Sequence, residues 1–547
     1  LFALSLELEA WSVGRVRRAV AALLDLAPPT ARVVADGRPD REVPVKDVAV
    51  GAVVVVRPGE RIPLDGKVTK GSGHVNQAPI TGESVPAPKR PGDDVFAGTV
   101  NEESVLEVVV TRPANDTTLA RIIRMVGESQ SRRAASERWV DQFAATYTPA
   151  VLALAVVVGV VPPLLGGGWW EWVYRALVLL VIACPCALVI STPVSVVAAL
   201  TAAARNGVLV KGGMYVELPA RLKAVALDKT GTLTAGRPAV VEVVPLNGHD
   251  ETELLERASG LEARSDHPLA RAVTEYAENK GVAVTPADDL RAVPGKGAVG
   301  RWRGREFWLG SPRYTAERGQ GTDDVLGRVA AMTAAGRSVV VVGNETHVCG
   351  LIALADAVRP AARDAIRDLK ELGVVRVVML TGDNEATARA VVRDAGVDDV
   401  RAGLLPEEKV AAVEALVAEF GTVAMVGDGV NDAPALARAT FGVAMGGAGT
   451  DAAVETADVA LMSDDLGKLP WLVCHSRRTM SVIRQNVAFS LAVKAVFMVL
   501  TFAGYSSLWA AIAADTGASL LVIFNGLRLL GRTREHGNAI GPTNRDS

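Results

Sequence analysis

The sequence predicts a multidomain α-helical membrane protein with two large soluble parts, one β-rich and one α/β. Three observations carry that prediction. Phe143 to Leu165 is a run of 23 residues without a charge, and Ala176 to Ala204 is one of 29, where a membrane span needs roughly 20 apolar residues. Between Val33 and Val110 short β-branched runs alternate with turns, as in VAVGAVVVVRPGERIPLDGKV, the pattern of a small all-β module. Between about Gly207 and Ser476, three apolar strands each run into a turn that contains aspartate, as the strands of a parallel sheet do at their ligand-binding edge.

The composition narrows the function classes. The chain has 547 residues, 49% of them hydrophobic, with 58 Lys and Arg against 61 Asp and Glu. A net charge of −3 and 5% aromatics give no footprint for a nucleic-acid partner. Four cysteines exclude a disulfide scaffold. Mean hydropathy is +0.25, and the excess lies in a few stretches.

Two more spans are expected at Val487 to about Gly504 and Leu508 to about Leu527, each with one ionisable residue, Lys494 and Asp515. Arg132, Arg133 and Arg138 precede the first span, Arg205 and Lys211 follow the second, Arg477, Arg478 and Arg484 precede the third, and Arg528, Arg532 and Arg534 follow the fourth. The connections at 166–175 and 505–507 carry almost no positive charge. Positive charge stays inside, so both soluble segments are expected in the cytoplasm of a multi-pass cell-membrane protein. Trp169, Trp170 and Trp172, placed on the first connection, suit an outer interfacial belt. The N-terminus lacks the pattern of a signal peptide. Its apolar start at Leu1 to Leu6 reads as the end of an upstream membrane helix.

The soluble motifs carry chemistry. The strand Leu222 to Leu227 ends at Asp228 in DKTGT, Val374 to Leu380 runs into TGDN at 381–384, and Thr422 to Val426 runs into GDGVND at 427–432. An aspartate carboxylate can attack a phosphoryl group and carry it covalently. The charge of that transfer calls for Mg2+ and for nearby donors. Asp428 and Asp432 offer hard oxygen ligands for the ion, and Thr381 and Lys409 a hydroxyl and an ammonium for the phosphate. The loop ITGES, with Gly82 and Glu83, lies at an expected exposed turn of the β-rich part. An insertion from about Pro238 to Ile352 contains Glu262, SDHPLA with His267, and PGKGAVG with Gly295 and Gly297. Glycines there allow a backbone to approach a ligand closely.

Inside the membrane, Cys184-Pro185-Cys186 sits mid-span. On an intact helix the two sulfurs would point nearly opposite ways. Pro185 removes a backbone hydrogen bond, which lets both thiolates face one soft or borderline ion. Cys349 and Cys474 lack a partner pattern and read as structural. Lys494 and Asp515 each cost roughly 2.5–3.5 kcal/mol to insert, and such residues mark ion pathways or lock helices as a pair.

Together these residues resemble the P-type ATPases, specifically the heavy-metal (type IB) branch. The resemblance runs along essentially the whole chain, with DKTGT, TGES, TGDN, GDGVND and CPC in that family's order and spacing. It implies a β-rich actuator domain and a haloacid-dehalogenase-like α/β phosphorylation domain carrying an α+β nucleotide-binding insertion. It also implies ATP and Mg2+ as cofactors, with Asp228 as the phosphorylated nucleophile. Glu83, behind Gly82, is then the actuator glutamate that positions water to hydrolyse the aspartyl-phosphate. Asp428 and Asp432, with Asp228 and Thr230, match the magnesium site, and Thr381 and Lys409 the phosphate contacts. Glu262, His267, Gly295 and Gly297 fall on positions that hold ATP in this branch.

NVAFSLAVK with Lys494 and ADTGASLLVIFNGLRLL with Asp515 are similar to the zinc/cadmium/lead subgroup. Cys184, Cys186 and Asp515 are then the transported-ion site, with Lys494 as counter-charge. The expected domains are the end of a truncated membrane helix (1–11), actuator (12–138), two spans with CPC (139–206), and phosphorylation domain (207–237 and 353–475). The nucleotide-binding domain (238–352), two further spans (476–530) and a cytoplasmic tail (531–547) complete the chain. It is expected as a monomer in the lipid bilayer that exports Zn2+, Cd2+ or Pb2+. A copper(I) exporter of the same family is the alternative, and a membrane-anchored phosphatase of the haloacid dehalogenase type or a non-catalytic metal-binding module are the readings from other classes. SDHPLA stands where SEHPLA is commoner, and Leu6 where the subgroup often has an acidic residue.

Overall fold

The computed structural model describes residues 28–35, 38–81, 86–120, 134–182, 185–265, 267–293, 296–383, 385–428, 432–446, 457–463, 465–503, 505 and 507–531. Gly82, Glu83, Cys184 and Gly295 lie outside the described residues, as does the side chain of Cys186. The chain divides into two units, residues 1–222 with 441–547, and residues 223–440.

In the first unit the β-rich part forms a six-stranded and a three-stranded sheet. Within the larger sheet, Val53–Val56 pairs antiparallel with both Thr30–Ala35 and Leu106–Val110. Alternation decides which face is buried: in Val53–Val56 the second and fourth valines, and in Leu106–Val110 the first, third and fifth residues, turn inward. They pack with Ile62, Leu64, Val68 and Val75 in one core. Burial of every second side chain is what a half-solvated antiparallel sheet requires.

Among the described residues, four stretches in the same unit are long and apolar enough to cross a membrane. The first is α1, Ala135–Leu164, and the second is divided into α2, Trp169–Ile182, and α3, Cys186–Arg205. The other two are α4, Lys468–Phe502, and α5, Leu508–Leu527. Helix α1 starts earlier than the apolar run and takes in Glu137, Arg138 and Asp141. Helix α4 starts far earlier than the expected span, extending over Arg477, Arg478 and Arg484. Trp169, Trp170 and Trp172 were expected on a connection, but they form the first turn of α2. Nothing in their sequence stops a helix, and the glycines at 166–168 end the preceding turn instead.

No side chain of its own caps the start of α1. Glu217, on the short helix Gly213–Glu217, supplies a remote cap. Its buried carboxylate accepts from Ala135 N at 3.1 Å, from Ser136 N at 3.3 Å, and from the Ser136 hydroxyl. These are the orphan amides that every helix start leaves.

The second unit is α/β. Four strands lie parallel: β1, Ala224–Asp228; β2, Arg376–Leu380; β3, Asp399–Arg401; and β4, Val423–Gly427. Their order is β4-β1-β2-β3, and β1 is buried along its whole length between β4 and β2. A central parallel strand is covered on both faces, so it reads as a continuous apolar run.

The insertion is a six-stranded antiparallel sheet. Its first strand, Thr234–Pro245, pairs with its last, Val348–Val358, and Asp288–Val293 stands at the far edge. Val340 and Val342 face one core with helices Glu251–Glu262 and Pro268–Asn279. Val339 and Val341 face another that holds Val325, Val329 and Met332 of helix Asp323–Ala334. The sheet is therefore covered on both sides, although each helix covers only one.

Candidate active site

The carboxyl end of β1 delivers Asp228 into the turn DKTGT. Gly231 takes φ +73° there, a conformation that costs a glycine nothing and other residues much. Arg359 braces the turn from outside, donating from Nε to Thr234 O at 3.1 Å and from Nη2 to Gly231 O at 3.0 Å. The ends of the other strands meet the same place. Lys409, on helix Pro406–Phe420, donates from Nζ to Asp228 Oδ1 at 2.5 Å and to Asp432 Oδ1 at 2.8 Å. Asp228 and Asp432 are both buried. Thr381, at the end of β2, is also buried, and its hydroxyl accepts from Asp383 N at 3.1 Å. Asp383 is in turn ion-paired with Lys229 at 2.5 Å.

The electrostatics of this cluster are unbalanced. Burial pushes the Asp228 carboxyl up to about 6; Asp432 and Asp428 push the same way, and Lys409 only partly offsets them. Burial works against the Lys409 ammonium, but attraction from Asp228 and Asp432 outweighs it and holds the ammonium above its ordinary value. One ammonium faces three carboxylates.

In the membrane helices, α2 is described as far as Ile182 and α3 from Cys186, whose N-cap is Pro185. The buried Lys494 of α4 donates to Ile182 O at 3.1 Å and to Asp515 Oδ1 of α5 at 3.2 Å. It thus serves both a backbone carbonyl three residues before Pro185 and the carboxylate of a neighbouring helix. Asn486, about two turns earlier on α4, is buried too; it donates to Val522 O at 3.1 Å and accepts from Asn525 at 2.8 Å.

The family model described as haloacid dehalogenase-like hydrolase matches residues 222–440. The one described as P-type ATPase actuator domain matches residues 25–127. Over 540 residues the chain is 47% identical to a probable cadmium-transporting ATPase of Listeria monocytogenes, covering 97% of this chain and 76% of that one. The chain belongs to the P-type ATPases. Within that family it is also 41% identical, over 533 residues, to the zinc/cadmium/lead-transporting P-type ATPase of Escherichia coli strain K12, covering 97% of this chain and 71% of that one. The crystal structure of a zinc-transporting PIB-type ATPase in the E2.Pi state superposes with a TM-score of 0.68 at 40% identity, covering 97% of this chain and 86% of the other. The expected fold class stands: helices for a membrane, an actuator domain, and a haloacid-dehalogenase-like domain carrying an insertion.

In this P-type ATPase the residues expected to hold ATP are placed as follows. Glu262 ends helix Glu251–Glu262, and burial pushes its carboxyl up, partly offset by Ser265 and His267. His267 is exposed and caps the next helix, its Nδ1 accepting from Leu269 N at 3.2 Å. Gly297 pairs across the sheet with Gly310. Its φ is +153°, and a Cβ there would lie 1.9 Å from Leu309 O. Backbone crowding alone demands glycine at that position. Thr230 is exposed in the DKTGT turn, with extended backbone angles.

Lys229, Asp383 and Arg359 were not singled out from the sequence. Lys229 and Asp383 lie inside motifs already recognised, so adjacency to Asp228 and Thr381 was the available signal. Arg359 lies 128 residues from the carbonyl it holds, and its neighbourhood has no pattern that would have exposed it. The cluster also fits a magnesium ion. Its carboxylates exceed its ammonium, and the DKTGT turn contains a buried hydroxyl, Thr232 Oγ1, without a hydrogen-bond partner among the described residues.

Proposed function

We propose that this P-type ATPase uses ATP to export a divalent soft metal ion, Zn2+, Cd2+ or Pb2+, from the cytoplasm across the cell membrane. Its soluble domains face the cytoplasm, and the domain boundaries are those drawn from the sequence. The observation that carries the reading is Lys409 bridging Asp228 and Asp432 at the carboxyl end of β1. A simple phosphatase or a passive metal-binding module needs neither the loop ITGES nor the insertion at 238–352.

The chemistry follows from the residues. An Asp228 oxygen attacks the terminal phosphorus of ATP, a new O–P bond forms, and ADP leaves with the electron pair of the broken bond. Lys409 holds the attacking carboxylate in place and offsets the charge that gathers around it. Thr381 offers a hydroxyl to the phosphoryl oxygens. Asp228, Asp428, Asp432 and Thr230 would hold Mg2+, which supplies neutralisation of phosphoryl charge. Glu83, behind Gly82, then directs water at the aspartyl-phosphate, which regenerates the carboxylate and frees phosphate. Glu262, His267, Gly295 and Gly297 hold the nucleotide.

For the cargo, Cys184, Cys186 and Asp515 supply two thiolates and a carboxylate, a donor set suited to a tetrahedral divalent ion. With neutral thiols, Asp515 and Lys494 balance each other. With a divalent ion and two thiolates, the site is again neutral and two protons have left. A monovalent ion in the same protonation state would leave a net negative charge in the membrane. The cadmium, zinc and lead named for the similar proteins agree with this count.

The deciding experiment is ATP hydrolysis by the protein in lipid, titrated with zinc, cadmium, lead and copper(I). Divalent stimulation that disappears in both Asp228→Asn and Asp515→Ala is expected. Copper(I) stimulation that survives Asp515→Ala would overturn the divalent assignment.

A further inference from the structure

One cluster of metal-ligating side chains in the insertion plays no part in the chemistry above. His249 lies in the loop between strand Thr234–Pro245 and helix Glu251–Glu262, His347 in the hairpin turn after Ser338–Asn344, and Cys349 near the start of Val348–Val358. A nitrogen of each imidazole and the Cys349 sulfur all lie within 4.8 Å of one another. The strands set this up: Leu246 N donates to Cys349 O at 2.8 Å, and Asn247 Nδ2 to Val348 O at 2.8 Å, which brings the loop of His249 over the hairpin.

The two histidines do not simply brush past each other. Their rings stack with centroids 5.3 Å apart and 13° between planes, and the two Nε2 atoms are 3.0 Å apart. Behind His249, Nδ1 is 3.0 Å from Glu253 Oε2. In the tautomer with Nδ1–H donated to Glu253, the Nε2 lone pair of His249 points into the cluster. This is the carboxylate–histidine arrangement that orients imidazole ligands of zinc. In that tautomer Nδ1 cannot also accept from Arg257 Nη1, which lies 3.0 Å from it and can only donate, so the guanidinium has to turn aside on metal binding while its Nη2 keeps its pairing with Glu253 at 3.0 Å.

We infer that His249, His347 and Cys349 form a second soft divalent-metal site, separate from the membrane and distinct from the transported-ion residues. Two imidazoles and one thiolate suit Zn2+ or Cd2+. A tetrahedral ion with bonds of about 2.0–2.3 Å holds its ligand atoms roughly 3.3–3.8 Å apart, so two loops need to close by an ångström or so. On binding, the Cys349 thiol gives its proton to solvent, an S–metal bond forms, and the imidazoles bind as neutral ligands. The fourth position is left to water. The ion would cross-link the loop at His249 to the hairpin at His347, stiffening one end of the insertion's sheet when soft metal is abundant. This site does not depend on the identity of the transported ion.

The test uses the whole protein with Cys184→Ser, Cys186→Ser and Cys474→Ser, which leaves Cys349 as the sole thiol. Titration with Cd2+ alone is followed by the ultraviolet thiolate-to-cadmium charge-transfer band, and the melting temperature is recorded alongside. One Cd2+ per chain is expected, with the band present and melting raised. Both histidines are only half-buried, so His249→Gln and His347→Gln should fold, and each should weaken Cd2+ binding at least about tenfold. Glu253→Gln, acting through His249, should weaken it by about tenfold as well, in the range for lost outer partners. Absence of the band, or a band and affinity indifferent to both histidine substitutions, would overturn the site and leave an ordinary hydrogen-bonded imidazole pair. Cys349→Ser should abolish the band; should that variant fail to fold, the two histidine variants decide the matter.

Discussion

The end of the parallel strands and the middle of the membrane helices both set lysine against aspartate, in opposite proportions. At the first, Lys409 serves Asp228 and Asp432 with Asp428 close by, and negative charge is in excess. At the second, Lys494 meets Asp515 and also donates to a backbone carbonyl, Ile182 O. The first place lies at the carboxyl end of parallel strands in a soluble part, where such sheets bind ligands, so a surplus of carboxylates works there as a standing attraction for a divalent cation. In a bilayer the same surplus would cost several kcal/mol per charge, so balance is compulsory. Two similar contacts thus answer to different solvents.

The comparison can be broken from either side, and the largest expected effect is at the nucleophile. Asp228→Asn keeps the shape and removes the attacking charge. Acyl-phosphate formation from labelled ATP should fall by on the order of 10⁴-fold or more, with stability unchanged or raised because a crowded carboxylate has gone. Next comes the membrane pair. Lys494→Met strands Asp515 without its cation and should cost about 3–5 kcal/mol of stability, the usual penalty for breaking a buried pair. Adding Asp515→Leu should restore most of it in thermal denaturation while abolishing metal-dependent hydrolysis. An unchanged melting temperature in the single variant would show that the pair does not carry the balance argued here.

Lys409→Met should cost less, about 1–3 kcal/mol, because Asp228, already pushed up to about 6, can take up a proton and donate it to its carboxylate neighbour. Asp432→Asn in the same chain should recover stability but not phosphorylation. The smallest effect is in pH. Asp228 must be ionised to attack, so at limiting magnesium the rate of phosphorylation should fall about tenfold per unit as pH drops well below about 6. Raising magnesium should move that midpoint lower, because a cation favours the carboxylate. The sign for stability is opposite. A carboxyl raised in the folded state binds more protons folded than unfolded between its ordinary value and about 6, so metal-free stability should decline as pH rises through that window. Calorimetry with a chelator present, in wild type and Asp228→Asn, checks it.

Much of this architecture was legible in the sequence, because the parts that carry it are local. A strand that ends in DKTGT or GDGVND announces its own edge, and a charge-free run of 23 residues announces a span. Partners separated along the chain were not legible. Lys229 with Asp383, Arg359 with Gly231, and His249 with His347 are 154, 128 and 98 residues apart, and only strand pairing brings them together. Cys349 read as structural for the same reason: its nearest chemical neighbour in sequence is one histidine two positions away, and the other arrives from the opposite end of the insertion. The start of α4 was misjudged because hydropathy marks where a helix enters lipid, whereas hydrogen bonding sets where it begins.

The cap that Glu217 provides for α1 has a mechanical side. Its carboxylate is buried and engages two amides and a hydroxyl at Ala135 and Ser136. To swing the segment Gly213–Glu217 away from α1 would mean breaking those bonds and leaving a buried charge bare, at a cost of several kcal/mol. The division between the two units falls just beyond, after Leu222. The residues that follow are held as well, since Arg477 of α4 donates to Ala220 O at 3.3 Å and Pro219 is buried, so the start of α1 and the stretch 213–221 are fastened to the membrane helices together. Glu217 acts as a bench vice that holds the foot of one long helix to a short neighbour.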